Sequence, residues 1–133
     1  MGIPGLPNHW QHFLLCVLFR MLLPLLPLVI EYLITGAASE KTATLIAAIY
    51  VISIGSSSRS SLQFGLLMIV GVLDAVAFGF VVGQSPIPSS RNLTLVGYAT
   101  VFAFWCVVAA FILHVLERYN RHVAERMPFW EFT

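Results

Sequence analysis

Apolar residues in this chain come in long unbroken blocks, not in the alternation of a half-buried strand. Four blocks stand out, at 13–34, 42–58, 62–83 and 93–116. The joints between them read TGAASEK, SSSRSS and QSPIPSSRN. Gly, Pro and Ser of this kind interrupt helices. A bilayer core of roughly 30 Å takes about 20 helical residues, with about 17–25 as the working range. Each block therefore predicts a transmembrane helix, and the chain an all-α, polytopic bundle of four. The second block is the shortest and has polar ends. Residues 117–133 follow as a charged, aromatic C-terminal tail.

Composition agrees with this pattern. Hydrophobic residues make up 59% of the 133 positions and charged residues 10%, against about 25% charged in an ordinary soluble domain. The surface of a soluble domain cannot be built from so few charges, so the lipid bilayer is the first expected partner. A net charge of +1 gives no basic field for direct nucleic-acid binding. Cys16 and Cys106 both fall in apolar runs and are expected to act as small packing residues. The opening MGIPGLPNHWQH has no Lys or Arg, unlike the charged start of a secretory signal. The first block is therefore expected to be retained. Leu6 stands where a myristoylation signal needs Ser or Thr.

Four crossings put both termini on one side. The termini and middle joint carry Arg59, Arg118, Arg121 and Arg126, and the other two joints carry Lys41 and Arg91. The excess of basic residues marks the cytoplasmic side, so both termini are expected there, in a bacterial inner membrane. The triplet beginning at Asn92 formally matches a glycosylation acceptor, which has no meaning in a bacterium.

Two charged residues lie inside blocks. Arg20 sits about 10 Å from the cytoplasmic end of the first, and Asp74 about 18 Å into the third, at 1.5 Å per residue. A lone charge at the bilayer centre costs about 2.5–3.5 kcal/mol on insertion scales. An Arg20–Asp74 pair would offset much of that, as would carrying Asp74 as the neutral acid. Such a pair either fixes helix register or serves a pore, proton relay or voltage-responsive element. Arg20, Pro24, Pro27 and Glu31 share a stripe of the first helix, and the two prolines are expected to kink it. Glu31 lies at the outer interface, within reach of Lys41, Arg91 or water. His114, near the inner end of the last block, reads as an interfacial hydrogen-bonding residue.

Gly79 and Gly83 form a small-xxx-small pair, and Gly71 adds a third small position. Such residues let helices approach closely, within the bundle or between copies in a homo-oligomer. In the tail, Arg118, Arg121 and Arg126 are compatible with helix until Pro128. Phe129, Trp130 and Phe132 then form an aromatic cluster, either an interfacial anchor or a docking segment for a cytoplasmic protein. No catalytic residues, metal ligands or cofactor motif are assigned. Ser53, Asp74 and His114 have no recognised spacing, so no enzyme is expected.

The four spans, the charged and Pro-rich first helix, the SIGSSSRSS turn and the charged tail resemble the membrane subunits of bacterial phage-defence systems. The Kiwa membrane subunit and the four-span membrane protein of lambda-type phage exclusion share this plan. The likeness is architectural over the whole chain and transfers no residue roles. It implies a small oligomeric membrane sensor or effector that signals to a cytoplasmic partner. The alternative is an ion-conducting pore, holin-like protein or small transporter. A four-span multidrug exporter would need its acidic residue mid-span, whereas Glu31 is near a helix end and Arg20 would repel cations.

Overall fold

The structure, a computed structural model, describes residues 6–84 and 92–126. Every element among them is helical. The first helical run contains α1 (Asn8–Cys16), a π turn (Val17–Leu22), a 3-10 turn (Leu23–Leu25) and α2 (Leu26–Thr35). Then come α3 (Glu40–Ser56), α4 (Ser61–Gly83) and α5 (Leu93–Tyr119), the last continued by a π turn (Asn120–Ala124).

Local chemistry sets most of the ends. Ser39, Ser60 and Asn92 cap α3, α4 and α5, their side-chain oxygens accepting from the backbone N–H of Thr42, Gln63 and Leu95. Each satisfies one of the donors that a helix leaves unpaired at its start. Asn92 thus has a structural task inside its formal glycosylation triplet. Gly36 closes α2 at φ 77°, a left-handed conformation that glycine adopts without steric cost. The last turn ends before Pro128, with Glu125 N–H bonded back to Asn120 O at 2.9 Å and Arg126 at φ 55°.

The prolines reshape the first helix as the sequence predicts. Pro24 supplies no N–H to the carbonyl of Arg20, and Pro27 none to that of Leu23. The wide turn and the tight turn lie over this stretch. The π turn changes which residues face inward: Cys16 and Met21, five apart, are both buried. A regular helix would align residues three or four apart.

Helices α3, α4 and α5 pack on one another, with α3 at the centre. The core joins Tyr50, Val51 and Ile54 of α3 to Leu67 of α4 and Ala110 of α5. Two glycines permit this closeness. A Cβ on Gly71 would run into the side chain of Ile52, and one on Gly55 would meet Leu67 Cβ at 2.9 Å. The first run lies against this trio in two places. α1 meets α5 and its terminal π turn, while the 3-10 turn and α2 meet α3. Trp10, Phe13 and Tyr119 form a three-ring cluster with centroids 5.9–6.1 Å apart. The beginning of the first helix and the end of the last therefore share one end of the molecule.

Apolar side chains cover the outside as well as the core, unlike in a water-soluble protein. Thr44, Asp74, His114, Arg118 and His122 are buried, while Leu33, Ile34, Leu62, Ile69, Val76 and Trp105 face outward. An outward apolar belt this continuous fits lipid, not water. Three runs are long and apolar enough to cross a membrane: Asn8–Thr35, Ser61–Gly83 and Leu93–Ala124. The helix of the second block, α3, has 17 residues and spans about 25 Å at 1.5 Å per residue.

Candidate functional site

The most concentrated polar chemistry lies at the end shared by α1, the 57–60 turn and the close of α5. His114 and Arg118 of α5 and His122 of the π turn that continues it follow one another at intervals of four and lie on one side. That side is turned inward, and all three are buried. Arg118, only 3% exposed, donates from Nε to His114 Nε2 at 3.2 Å and from Nη2 to the Ser57 carbonyl at 2.9 Å.

The position of Ser57 explains the second bond. It is the C-cap of α3, where backbone carbonyls lack helical partners and the helix dipole favours a cation. The first bond fixes the tautomer of neutral His114. A ring nitrogen that accepts carries no proton, so the proton is on Nδ1, which lies 3.7 Å from Glu117 Oε2. The other Glu117 oxygen accepts from the backbone N–H of Arg59 at 2.8 Å. Outside this contact, Arg59 Nη1 lies 3.9 Å from Glu125 Oε2 across an exposed surface. Two consecutive residues of α5, Glu117 and Arg118, thus grip the middle turn at Arg59 and Ser57.

Beside this latch is a recess of about 310 Å³ between the first helix, α3 and α5. Arg20, Ser53, Ser57 and His114 supply its polar wall, and Phe19, Pro24 and Ile54 the apolar one. Cys16 is buried next to the same charges, with Arg118, Arg20, Arg121 and Glu117 all acting on it. A second recess, of about 370 Å³, is almost wholly apolar and lies between Leu28, Ile46 and Phe104 on the outer flank.

Arg20 and Asp74, expected as a pair, occupy different places. Arg20 lines the recess with His114, whereas Asp74 is fully buried and faces Cys106 on α5. Neither Asp74 oxygen has a hydrogen-bond partner among the described residues, so no Arg20 bond holds the carboxylate. The π turn helps to account for the difference, because it rotates the Arg20 side chain relative to a regular helix. Half-buried Cys106 packs against the core, in keeping with the packing role expected of it, and also faces Asp74.

Arg118 is corrected from a partner-binding tail residue to an internal one, since its guanidinium is spent on Ser57 and His114. The bundle accordingly continues past residue 116: Glu117, Arg118 and His122 are part of it. Arg121 is half-buried and Arg126 exposed. Phe129, Trp130, Phe132 and Arg91 lie outside the described residues. Glu31 is half-buried and faces Ser39 and Thr42 at the start of α3, partners the sequence reading did not consider. Gly71 closes the α3–α4 contact, while Gly79 and Gly83 are exposed and have open space where a Cβ would stand.

Sequence reasoning missed Ser57, His122 and the Gly55 contact. A signal for one of them was present: three polar side chains spaced by four at the end of an apolar helix indicate a wet or bonded stripe. Among the described residues no group of three or more His, Cys, Asp and Glu gathers as a metal site. The arrangement sets the Arg118 guanidinium against an imidazole and a backbone carbonyl. No family model, curated protein or solved structure matches the chain.

Proposed function

We propose that this chain is a four-span bacterial inner-membrane sensor or effector subunit, working as a homo-oligomer, that signals through its C-terminal segment to a cytoplasmic protein. The observation that carries the reading is the double grip of Glu117 and Arg118 on the 57–60 turn. This grip fixes the root of the tail to α3 and α4, and the ring cluster fixes it to the first helix. A change in how the helices pack is thereby delivered to the segment that leaves the membrane. In this reading α3 is the fourth crossing. Its 17 residues fall at the short end of the range of about 17–25, which suits a helix sheltered by its neighbours. The open space at Gly79 and Gly83 favours close approach of a second copy. Both termini are cytoplasmic, following the basic residues. The antiphage setting rests on the architectural resemblance alone.

The test has three parts. Single cysteines at Ala38 and Arg59 are labelled from either side of oriented vesicles, and four crossings require opposite accessibility. Full-length protein in liposomes is assayed for ion and dye flux; substantial flux would favour the pore reading. In cells challenged with phage, deletion of Phe129–Thr133 should abolish protection while membrane insertion persists. Unchanged protection would refute signalling through the tail, and no protection by the intact protein would remove the antiphage setting.

A further inference from the structure

We propose that the contact between α4 and α5 is a proton-binding site: Asp74 holds a proton as the neutral acid while the two helices are closed on each other, and gives it up when they part. Three observations support this. First, Asp74 is fully buried in the interior of α4, and no other residue from Leu66 to Gly83 can carry a charge. Second, no cation accompanies it among the described residues. Cys106 of α5 sets a thiol against the carboxyl. α3, the other helix packed on α4, brings Ile52 to Gly71 about one turn away. The buried Tyr50 hydroxyl of α3 has no hydrogen-bond partner among the described residues, and Arg20 lines the recess beside His114. Third, α4 and α5 share the least extensive contact of the central trio. A groove of about 370 Å³ runs between them, lined by Leu73 and Ala77, which flank Asp74, and by Ala99 and Phe102.

A carboxylate taken out of water without a cation is costly enough that the group takes a proton instead. A thiol is a weak donor and offsets little of that cost. Water admitted between the helices changes the balance, because an exposed Asp is ionised above about pH 3.9. Closing the two helices therefore takes up one proton, and parting them releases it. The closed form holds more protons, so its advantage over the open form falls as pH rises, by about tenfold per pH unit for one proton. That fall begins above the ordinary Asp value and ends where Asp74 ionises inside the closed bundle. The site needs no partner protein and stands apart from the signalling role.

The test uses full-length protein in detergent micelles and has two readouts. Infrared spectroscopy at roughly pH 5.5, well above the value for an exposed Asp, should show a carboxylic-acid carbonyl band in the wild type. Asp74→Asn should remove it. Asp74→Leu serves the same purpose if the Asn variant fails to fold, with helix content checked by circular dichroism. The second readout is the unfolding equilibrium as a function of pH. Other groups titrate in both proteins and cancel in the comparison. From about pH 4.5 up to the pH at which the band disappears, the wild type should lose stability relative to the variant by about tenfold per pH unit. A band that is lost in the variant, together with diverging profiles, supports the site. Absence of the band in the wild type, its persistence in the folded variant, or parallel pH profiles overturns it.

Discussion

Arg118 and Ser57 stand sixty-one residues apart in sequence and are joined by a 2.9 Å hydrogen bond from guanidinium to carbonyl. The bond closes the end of α3 with a side chain from α5. The same guanidinium reaches His114, so removing it leaves a half-buried carbonyl and a buried imidazole nitrogen without this donor. Arg118→Gln should cost about 2–4 kcal/mol, since bonds to charged groups contribute about 1.5–3 kcal/mol each and are not additive. Arg118→Lys should recover less than half of that, because an ammonium cannot supply two donors in fork geometry. Denaturant unfolding in detergent micelles, followed by circular dichroism, measures both.

Gly71 and Gly79 should respond oppositely to the same change. Gly71→Ala places a methyl against Ile52 and should destabilise by about 1–3 kcal/mol, the usual cost of overpacking. Gly79→Ala meets open space and should stabilise an isolated subunit by up to about 1 kcal/mol, the helix preference of Ala over Gly. Unfolding of the two variants side by side gives the signs.

Asp74 should couple to Cys106 and not to Arg20. In double-mutant cycles, Asp74→Asn with Arg20→Gln should be additive within about 0.5 kcal/mol, as expected for groups that share no contact. Asp74→Asn with Cys106→Ser should depart from additivity by more than that. Asp74→Leu should leave stability unchanged or raise it by about 1–3 kcal/mol, because it removes a fully buried carboxyl that faces only a thiol among the described residues. A strong Arg20–Asp74 coupling would contradict the arrangement described.

Tyr119→Ala should loosen the start of the first helix selectively. The ring contacts Trp10 and Phe13, and aromatic pairs of this kind contribute about 0.5–1.5 kcal/mol beyond the area they bury. Hydrogen exchange over Asn8–Cys16 should quicken several-fold while exchange in α3 stays as it was. The Trp10 emission should shift with it.

The sequence revealed the helices more fully than their contacts. Block length and the Gly, Pro and Ser at the joints were enough to place α3, α4 and α5 within a few residues, because hydropathy and helix interruption are local properties. The two prolines announced the distortion of the first helix for the same reason. Position along each helix was also readable, and it suggested Arg20 with Asp74. Azimuth was not: a π turn alters the rotation of every residue beyond it, and nothing in LFRML marks that turn. Arg118 was misjudged because a cation beyond the last apolar residue looks solvated. Its burial depends on a carbonyl from another helix, and carbonyls carry no sequence signature.

The irregular middle of the first helix has a consequence for mechanics. A uniform rod would pass a push on one end straight to the other. Here a wide turn followed by a tight one divides that rod, with one part docked on the last helix and the other on the central one. A displacement at either end of the first helix is thus handed to a different neighbour.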